Sequence, residues 1–249
     1  KGVAGTVEPG KIYVAISLSD GDNVQFGQNA LYQIFKEGKR RGEVPVGITM
    51  AAGLQDLNPK LLEFYYKNLT QNDELTAGPS GFQFIYGDEY AQSGKYAEWI
   101  EMNSKWLATA GFHTAHLWNT VEQMYFRQYM EGSKVDLVMD GSDRTHTTGS
   151  SYKYLNNVVR IDQGTHCWNE GDVYRDLMSI SPSTRRPLFR HIYLLTNYYG
   201  FDGNNVVVYD RLIKELQRVE EDSPNTFEYM LPMDLAATIK KYIDEGGIY

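Results

Sequence analysis

The sequence contains one cysteine, no long apolar run and fewer basic than acidic residues. Cys167 stands alone, which excludes an internal disulfide and a zinc centre built from several cysteines. No run of about 18 or more residues is apolar, so the sequence predicts no membrane-spanning helix. The net charge of -8 argues against nucleic acid as the main partner, because phosphate binding requires a basic surface.

Aromatic side chains are plentiful, with 19 Tyr, 10 Phe and 4 Trp among 249 residues. Such rings pack against the faces of sugars, so a tyrosine-rich acidic domain is typical of carbohydrate binding; the alternative is that the same rings fill the core. Residues 1–10 read like the middle of a longer protein. We therefore expect a tail or linker over 1–10, one domain over 11–249 and an additional N-terminal domain in the full-length protein.

Short apolar runs alternate along the chain with longer helical patterns. Strands alternating with helices are typical of a parallel sheet, and eight such units match a closed barrel. The sequence therefore predicts a single (β/α) barrel, TIM-like, with seven or eight strands and a distorted form allowed; an open doubly wound sheet is the alternative. The predicted strands cover residues 11–18, 45–50, 73–80, 113–119, 134–140, 156–162, 190–197 and 226–232.

One parity of the predicted strands is polar and the other is mostly apolar. Because helices must cover the apolar face, we expect the polar side chains to point into the barrel, with Arg160 paired to Glu228 or Asp162. The residues predicted to face inward are Ser17, Ser19, Thr49, Thr76, Gly78, Ser80, Thr114, His116, Trp118, Asp136, Asp140, Arg160, Asp162, His191, Tyr193, Asn197 and Glu228.

Acids, amides and aromatics are concentrated just after the strands, where barrel active sites lie. The first strand ends in Ser-Asp-Gly-Asp-Asn, and Gly21 would let the chain turn sharply and bring Asp20 and Asp22 to the mouth. Two close carboxylates can share a metal ion, or one can act as an acid while the other stays ionised. The alternative is that Asp22 caps the following helix and Asp20 a turn.

Two further acids, Asp140 and Asp162, end the fifth and sixth predicted strands. Acids on different strands are what glycoside hydrolysis requires, although strand-end acids are also common as turn residues. His166 follows in a loop and is a candidate acid-base group or ligand, although a lone histidine is more often neither.

The stretches "YVAISLSDGDNVQF" and "TAGPSGFQFIYGDEY" resemble the C-terminal domain of the GxGYxYP proteins, assigned as glycoside hydrolases and found largely in gut Bacteroidetes. The motif that names the family aligns on Gly81–Gly87, where Gly81 and Tyr86 are kept, Phe84 replaces a tyrosine, Gln83 replaces a glycine and Gly87 replaces the proline. This chain is therefore a divergent member. The first strand end is also similar to that of polysaccharide deacetylases, but their metal-binding HxxxH pattern is absent, so that mechanism is not carried over.

The resemblance and the strand-end acids together predict a glycoside hydrolase acting on poly- or oligosaccharide, secreted or periplasmic, in a bacterium. A non-catalytic glycan-binding barrel and a metal-dependent carbohydrate esterase or deacetylase are the alternatives. Carbohydrate is the expected partner, with no nucleic acid, no membrane and no cofactor, although Asp20 and Asp22 could share a divalent cation. The candidate catalytic residues are Asp20, Asp22, Asp140 and Asp162, and the candidate substrate-binding residues are Asn23, Tyr86, Asp88, Glu89, Trp118, Asn119, His166 and Asn197.

Overall fold

The computed structural model describes residues 1–118, 123–140, 152–161, 166–195, 198 and 205–247. The strands are β1 (Ile12–Leu18), β2 (Val46–Met50), β3 (Asp73–Ala77), β4 (Thr114–Leu117), β5 (Leu137–Asp140), β6 (Tyr152–Leu155), β7 (Val158–Ile161), β8 (His166–Cys167), β9 (Leu188–Leu194) and β10 (Phe227–Tyr229). The helices are α1 (Val24–Gln28), α2 (Ala30–Glu37), α3 (Leu54–Leu57), α4 (Pro59–Lys67), α5 (Gly87–Gln92), α6 (Tyr96–Ala110), α7 (Gln123–Gly132), α8 (Asp172–Met178), α9 (Val208–Asp222) and α10 (Pro232–Asp244).

Local sequence signals explain where several helices begin and end. The Asn58 side chain accepts a hydrogen bond from the backbone N–H of Leu61, and Pro59 occupies the first position of α4, where its missing N–H costs nothing. Helix α6 ends at Gly111, whose φ of 80° is left-handed.

The strands form one large, mostly parallel sheet with the order β6-β7-β5-β4-β3-β2-β1-β9-β8, and β10 pairs with β1 beside this path. The pairs from β7 to β8 along the path are parallel, and β6 pairs antiparallel with β7. The predicted parallel α/β architecture is therefore confirmed. Closure of the sheet into a barrel is not shown, because the ends of the path, β6 and β8, do not pair over the described residues.

Two apolar cores lie on the two faces of the sheet. The outer core packs one parity of the strands, such as Val14, Ile16 and Ile48, against the surrounding helices. The inner core joins the other parity to α10, which contributes Leu235 and Ile239. The inner face is therefore apolar where α10 covers it and polar towards the carboxyl ends of β1–β4 and β9.

The predicted inward parity is correct for β1–β4 and β9. Ser17, Thr49 and Thr76 alternate with outer-core residues, and His116 and His191 are fully buried on the inner face. This polar set replaces the apolar packing that a sheet covered on both faces would normally show.

The predicted parity is wrong for β5 and β7. The register pairs Thr114 with Leu137, and both Leu137 and Met139 belong to the inner core. Arg160 lies on the other face, with its guanidinium 3.6 Å from the centroid of the Phe126 ring.

In β10 the predicted parity is correct, because Glu228 pairs with Tyr13 of the inner core and Phe227 belongs to the outer core. Asp136 and Glu228 are nevertheless exposed, and Arg160 lies on the outer face, so the predicted pair of Arg160 with Glu228 does not form; the alternative partner, Asp162, lies outside the described residues. The physical reason is that α10 covers this part of the inner face with apolar side chains. On β5 and β7 a polar side chain therefore no longer indicates the inner face of the sheet.

The segment 1–10 runs along α10. The backbone N–H of Val3 donates to Asp234, and that of Gly5 donates to the Thr238 hydroxyl at 2.9 Å. Within the described part of the chain, no helix combines the length and apolarity that a membrane crossing requires.

Candidate functional site

The carboxyl end of β1 is held against the carboxyl end of β2. The N–H of Gly21 donates to the Thr49 hydroxyl at 2.9 Å, and the N–H of Ala51 donates to the carbonyl of Gly21 at 2.8 Å. A Cβ at position 21 would overlap the backbone carbonyl of Thr49. The left-handed residue of the turn is Asp20, with φ 67°, so the glycine is needed for close approach to β2 and the sharp turn falls on the aspartate.

Asn23, and not Asp22, caps the first helix. The Asn23 side chain accepts hydrogen bonds from the N–H groups of Gln25 and Phe26 at 2.9 and 3.3 Å. This contact satisfies two N–H groups that would otherwise lack an intrahelical partner. The proposal that Asp22 serves as the helix cap is therefore wrong, and the exposed Asn23 has a structural role.

Asp22 is the most perturbed carboxyl at this end of the sheet. Burial, and then the negative charge of Asp20, raise the pKa of Asp22 from 3.8 to about 7. Both causes penalise the ionised form, so Asp22 keeps its proton at neutral pH far better than an ordinary aspartate. The other carboxyl of the pair, Asp20, accepts a hydrogen bond from the Ser19 hydroxyl at 3.1 Å.

A cluster of buried rings lies beneath the two carboxyls. Tyr193 is fully buried, and its ring centroid lies 4.9 Å from that of His116 and 6.2 Å from that of Trp118. Trp118 in turn stacks on His166 with centroids 5.1 Å apart. Burial raises the pKa of Tyr193, and the charges of Asp20 and Asp22 add to this effect, so the phenol remains a neutral hydroxyl.

The histidines of the inner face are held neutral. Nε2 of His116 lies 3.2 Å from the Thr76 hydroxyl, and Nε2 of His191 lies 3.2 Å from the Ser17 hydroxyl. Burial lowers the pKa of His116 to about 3 and, together with the charge of His116, lowers that of His191. These two side chains therefore contribute fixed hydrogen-bonding dipoles and are not proton donors at neutral pH.

The loop after β3 is tied to the loop after β4. The N–H of Gly87 donates to the carbonyl of Trp118 at 3.2 Å, and the Ser80 hydroxyl donates to the carbonyl of Ile85 at 2.9 Å. Tyr86 is 49% exposed, and Asp88 and Glu89 lie in the first turn of α5. This loop therefore borders the ring cluster at Trp118.

The structure brings together Asp20 and Asp22 after β1, Trp118 after β4 and His166 of β8. Asp140 is the last residue of β5, where its backbone pairs with Leu117, but its side chain is outside what the structure describes. The predicted site residues Asn119, Asp162 and Asn197 also lie outside the described residues. Over the described ranges, no group of three or more His, Cys, Asp and Glu is arranged to hold a metal ion.

Three site residues were not among the candidates from sequence. His116, His191 and Tyr193 build the floor under Asp22, and they had been recognised only as polar residues of inward parity. Their signal was two histidines and a tyrosine at alternating positions within buried strands, which is unusual for a core.

The protein is of the α/β class: its sheet is mostly parallel, and two aspartates follow the carboxyl end of the first strand. Residues 10–222 match the family described as "GxGYxYP putative glycoside hydrolase C-terminal domain". The chain belongs to this family. No curated protein matches the chain in sequence.

Solved structures show the same fold at low sequence identity. A protein titled a putative hydrolase from Bacteroides thetaiotaomicron is 17% identical with a TM-score of 0.74, covering 97% of this chain and 47% of its own. A putative polysaccharide deacetylase from Mycobacterium smegmatis is 8% identical with a TM-score of 0.59, covering 100% and 96%. The 4-alpha-glucanotransferase from Thermococcus litoralis is 13% identical with a TM-score of 0.51, covering 96% and 41%. The chain thus spans about half or less of the first and third of these proteins.

Proposed function

We propose that this domain is a carbohydrate-active hydrolase of the glycoside hydrolase type, with Asp22 as the general acid and Asp20 as its charged partner. The observation that carries the proposal is the pKa of Asp22, raised to about 7 by burial and by Asp20. Two neighbouring carboxyls whose pKa values are pushed apart are the usual arrangement for an acid and an ionised group in one site.

In the proposed reaction, Asp22 gives its proton to the glycosidic oxygen as the bond from that oxygen to the anomeric carbon breaks. The carboxylate of Asp20 stabilises the positive charge that develops on the sugar. Water adds its oxygen to the anomeric carbon, and the proton that it loses returns to the carboxylate pair. A positioned acid of this kind contributes about 10²–10⁴-fold to the rate.

The buried rings support this role by setting the environment of the acid. Tyr193 is fully buried and interacts electrostatically with Asp20 and Asp22, and burial is the largest cause of the raised pKa of Asp22. Because its pKa is raised as well, the Tyr193 hydroxyl stays neutral and does not compete for the proton of Asp22.

The comparisons support a carbohydrate-active function at a coarser level. The family carries the name of glycoside hydrolases, and two of the structures with this fold are titled a polysaccharide deacetylase and a glucanotransferase. At 8 to 17% identity these structures share the fold alone, so the chemistry assigned to Asp22 rests on its burial and on the neighbouring charge of Asp20.

A metal-dependent carbohydrate esterase or deacetylase is the second candidate. It is favoured by the two carboxylates that follow β1, because oxygen ligands of this kind also hold divalent cations. The two candidates differ in what they require: a glycoside hydrolase needs the proton on Asp22, whereas a metal enzyme needs both carboxylates ionised and a cation present.

The test is hydrolysis of a panel of plant and host glycans by the chain, by Asp22→Asn and by Asp20→Asn, with Asp56→Asn as an exposed control on α3. We expect Asp22→Asn to lose about 10²–10⁴-fold in kcat with the fold retained. We also expect wild-type activity to fall as the pH rises through about 7, where Asp22 loses its proton.

Two results would redirect the assignment. Deacetylation that appears only when Zn²⁺ or Mn²⁺ is added would favour the metal enzyme. Glycan binding with no turnover at any pH would favour a binding module. Unchanged activity in both Asp20→Asn and Asp22→Asn would remove the pair from the mechanism.

A further inference from the structure

The motif that names the family presents two exposed aromatic rings. Phe84 is 38% and Tyr86 49% exposed, and their centroids lie 4.9 Å apart at an interplanar angle of 83°. An exposed aromatic ring does not contribute the stabilisation that its burial would give to the fold. A pair of exposed rings on one loop therefore points to a ligand surface. The site described above does not account for them.

The loop that carries the rings is fixed at several points. The N–H of Phe82 donates to the Asn103 side chain at 2.7 Å, and the N–H of Gly53 donates to the carbonyl of Phe82 at 3.3 Å. Gly81, with φ 119°, packs directly on Asn103, where a Cβ would collide with the amide. The rings are therefore held in place before a ligand arrives, which lowers the ordering cost of binding.

The rings are continuous with the candidate active site. The Phe84 centroid lies 6.5 Å from that of Trp118, which lies 6.2 Å from that of Tyr193. The charges of Asp20 and Asp22 in turn raise the pKa of Tyr193, so these carboxyls are its neighbours. A chain of sugar rings can therefore extend from the acid towards the loop.

The charge of this surface restricts the ligand. The segments that follow β1 and β3, residues 19–28 and 78–92, contain no Lys or Arg. Within them, Asp20, Asp22, Asp88 and Glu89 are acidic. At these two segments an anionic sugar would meet like charge with no Lys or Arg beside it, whereas a neutral sugar stacks on the rings without this cost.

We propose that Phe84 and Tyr86 form a stacking platform for an uncharged sugar ring of a glycan that also reaches Asp22, which makes the domain selective for neutral over acidic glycans. The proposal deepens the proposed function and rests on it for the identity of the ligand as a glycan. It assigns a binding role to the aromatic positions of the family motif, and it makes Phe84 a specificity-determining residue.

The test measures binding separately from turnover. Affinity for barley β-glucan, soluble starch and polygalacturonate is measured in the Asp22→Asn background, so that no substrate is consumed. Phe84→Ala and Tyr86→Ala are compared with Tyr32→Ala, which removes a ring of similar exposure (36%) that lies 4.8 Å from Phe64 on the outer layer. Thermal melting of each variant verifies the fold.

We expect at least one neutral glycan to bind, each platform variant to weaken that binding about tenfold, and Tyr32→Ala to leave it unchanged. We expect polygalacturonate to bind at least tenfold more weakly than the neutral glycan. Equal binding by Phe84→Ala and the parent, preference for polygalacturonate, or no binding of either neutral glycan would overturn the platform. Binding that depends on the rings without hydrolysis by the wild type would keep the platform and refute the enzyme.

Discussion

Replacing Asp22 by Asn should stabilise the folded protein at neutral and alkaline pH while it abolishes turnover. In the unfolded chain Asp22 ionises with a pKa near 3.8, but in the folded protein its pKa is raised to about 7. Between these two values the folded state binds the proton and the unfolded state does not. Stability therefore falls as the pH rises through this window, and the loss is complete above about pH 7.

The size of the effect follows from the pKa values. Each pKa unit corresponds to about 1.4 kcal/mol, so ionising Asp22 costs the folded protein at most about 4 kcal/mol. Asp22 is only partly buried, and solvent screening reduces this to about 2 kcal/mol. Asparagine has the shape of the carboxyl and no charge, so the variant should gain that amount at pH 8, equivalent to about 4–8 °C in Tm.

The assay is urea denaturation of wild type and Asp22→Asn at pH 4, 6 and 8. The difference in the free energy of unfolding should grow from near zero at pH 4 to about 2 kcal/mol at pH 8. Asp56→Asn, an exposed carboxyl on α3, should show no such trend. A difference that is the same at pH 4 and pH 8, or a variant no more stable at pH 8, would refute the assignment of Asp22 as a protonated acid.

A second carboxyl, that of Glu74, also makes the free energy of unfolding fall as the pH rises. Its contribution has to be separated from that of Asp22. Glu74 accepts hydrogen bonds from the Thr114 hydroxyl and the N–H of Met233, each at 2.8 Å, and burial raises its pKa to about 7. Its ionisation also destabilises the folded state between about pH 4.5 and pH 7. Asp22→Asn should therefore remove part of the pH dependence, and the double variant with Glu74→Gln should remove most of it.

Three further substitutions test the structural roles. Gly21→Ala should destabilise the protein by several kcal/mol because its Cβ would overlap the neighbouring backbone. Gly27→Ala, in the buried part of α1, should be neutral or slightly stabilising in a thermal melt, because its Cβ would meet only Leu54 at 3.9 Å. Asn23→Ala should cost about 1 kcal/mol through loss of the helix cap and Asn23→Ser should restore it, with turnover unchanged in both. Arg190→Met should cost about 3–5 kcal/mol in urea denaturation, because it leaves the buried Asp176 carboxylate, 3.1 Å from the guanidinium, without its cation.

Each of these tests has an outcome that contradicts it. Equal stability of Gly21→Ala and Gly27→Ala would mean that the loop has room at position 21. A loss of turnover in Asn23→Ser at full stability would restore the predicted substrate-binding role of Asn23. An Arg190→Met variant as stable as the wild type would show that the ion pair adds nothing to the fold.

The sequence by itself determined the mostly parallel α/β architecture, but not whether the sheet closes into a barrel. All eight predicted strands and the alternation with helices appear in the structure, because burial imposes its periods over a few neighbouring residues. The structure also contains strands β6 and β8, which were not predicted from the sequence. The two-residue strand β8 forms because it pairs with β9, and the antiparallel strand β6 forms because it pairs with β7. Such pairing leaves no local signal in the sequence.

The tertiary structure decided which residues face the site and what state they are in. The inward face of β5 and β7 was predicted wrongly because α10, about 75 or more residues further along the chain, makes that part of the inner face apolar. The requirement for glycine at position 21 comes from the backbone of Thr49, and the raised pKa of Asp22 comes from burial created by several strands. Steric overlap and desolvation depend on what surrounds a group in space, and sequence spacing does not report that surrounding.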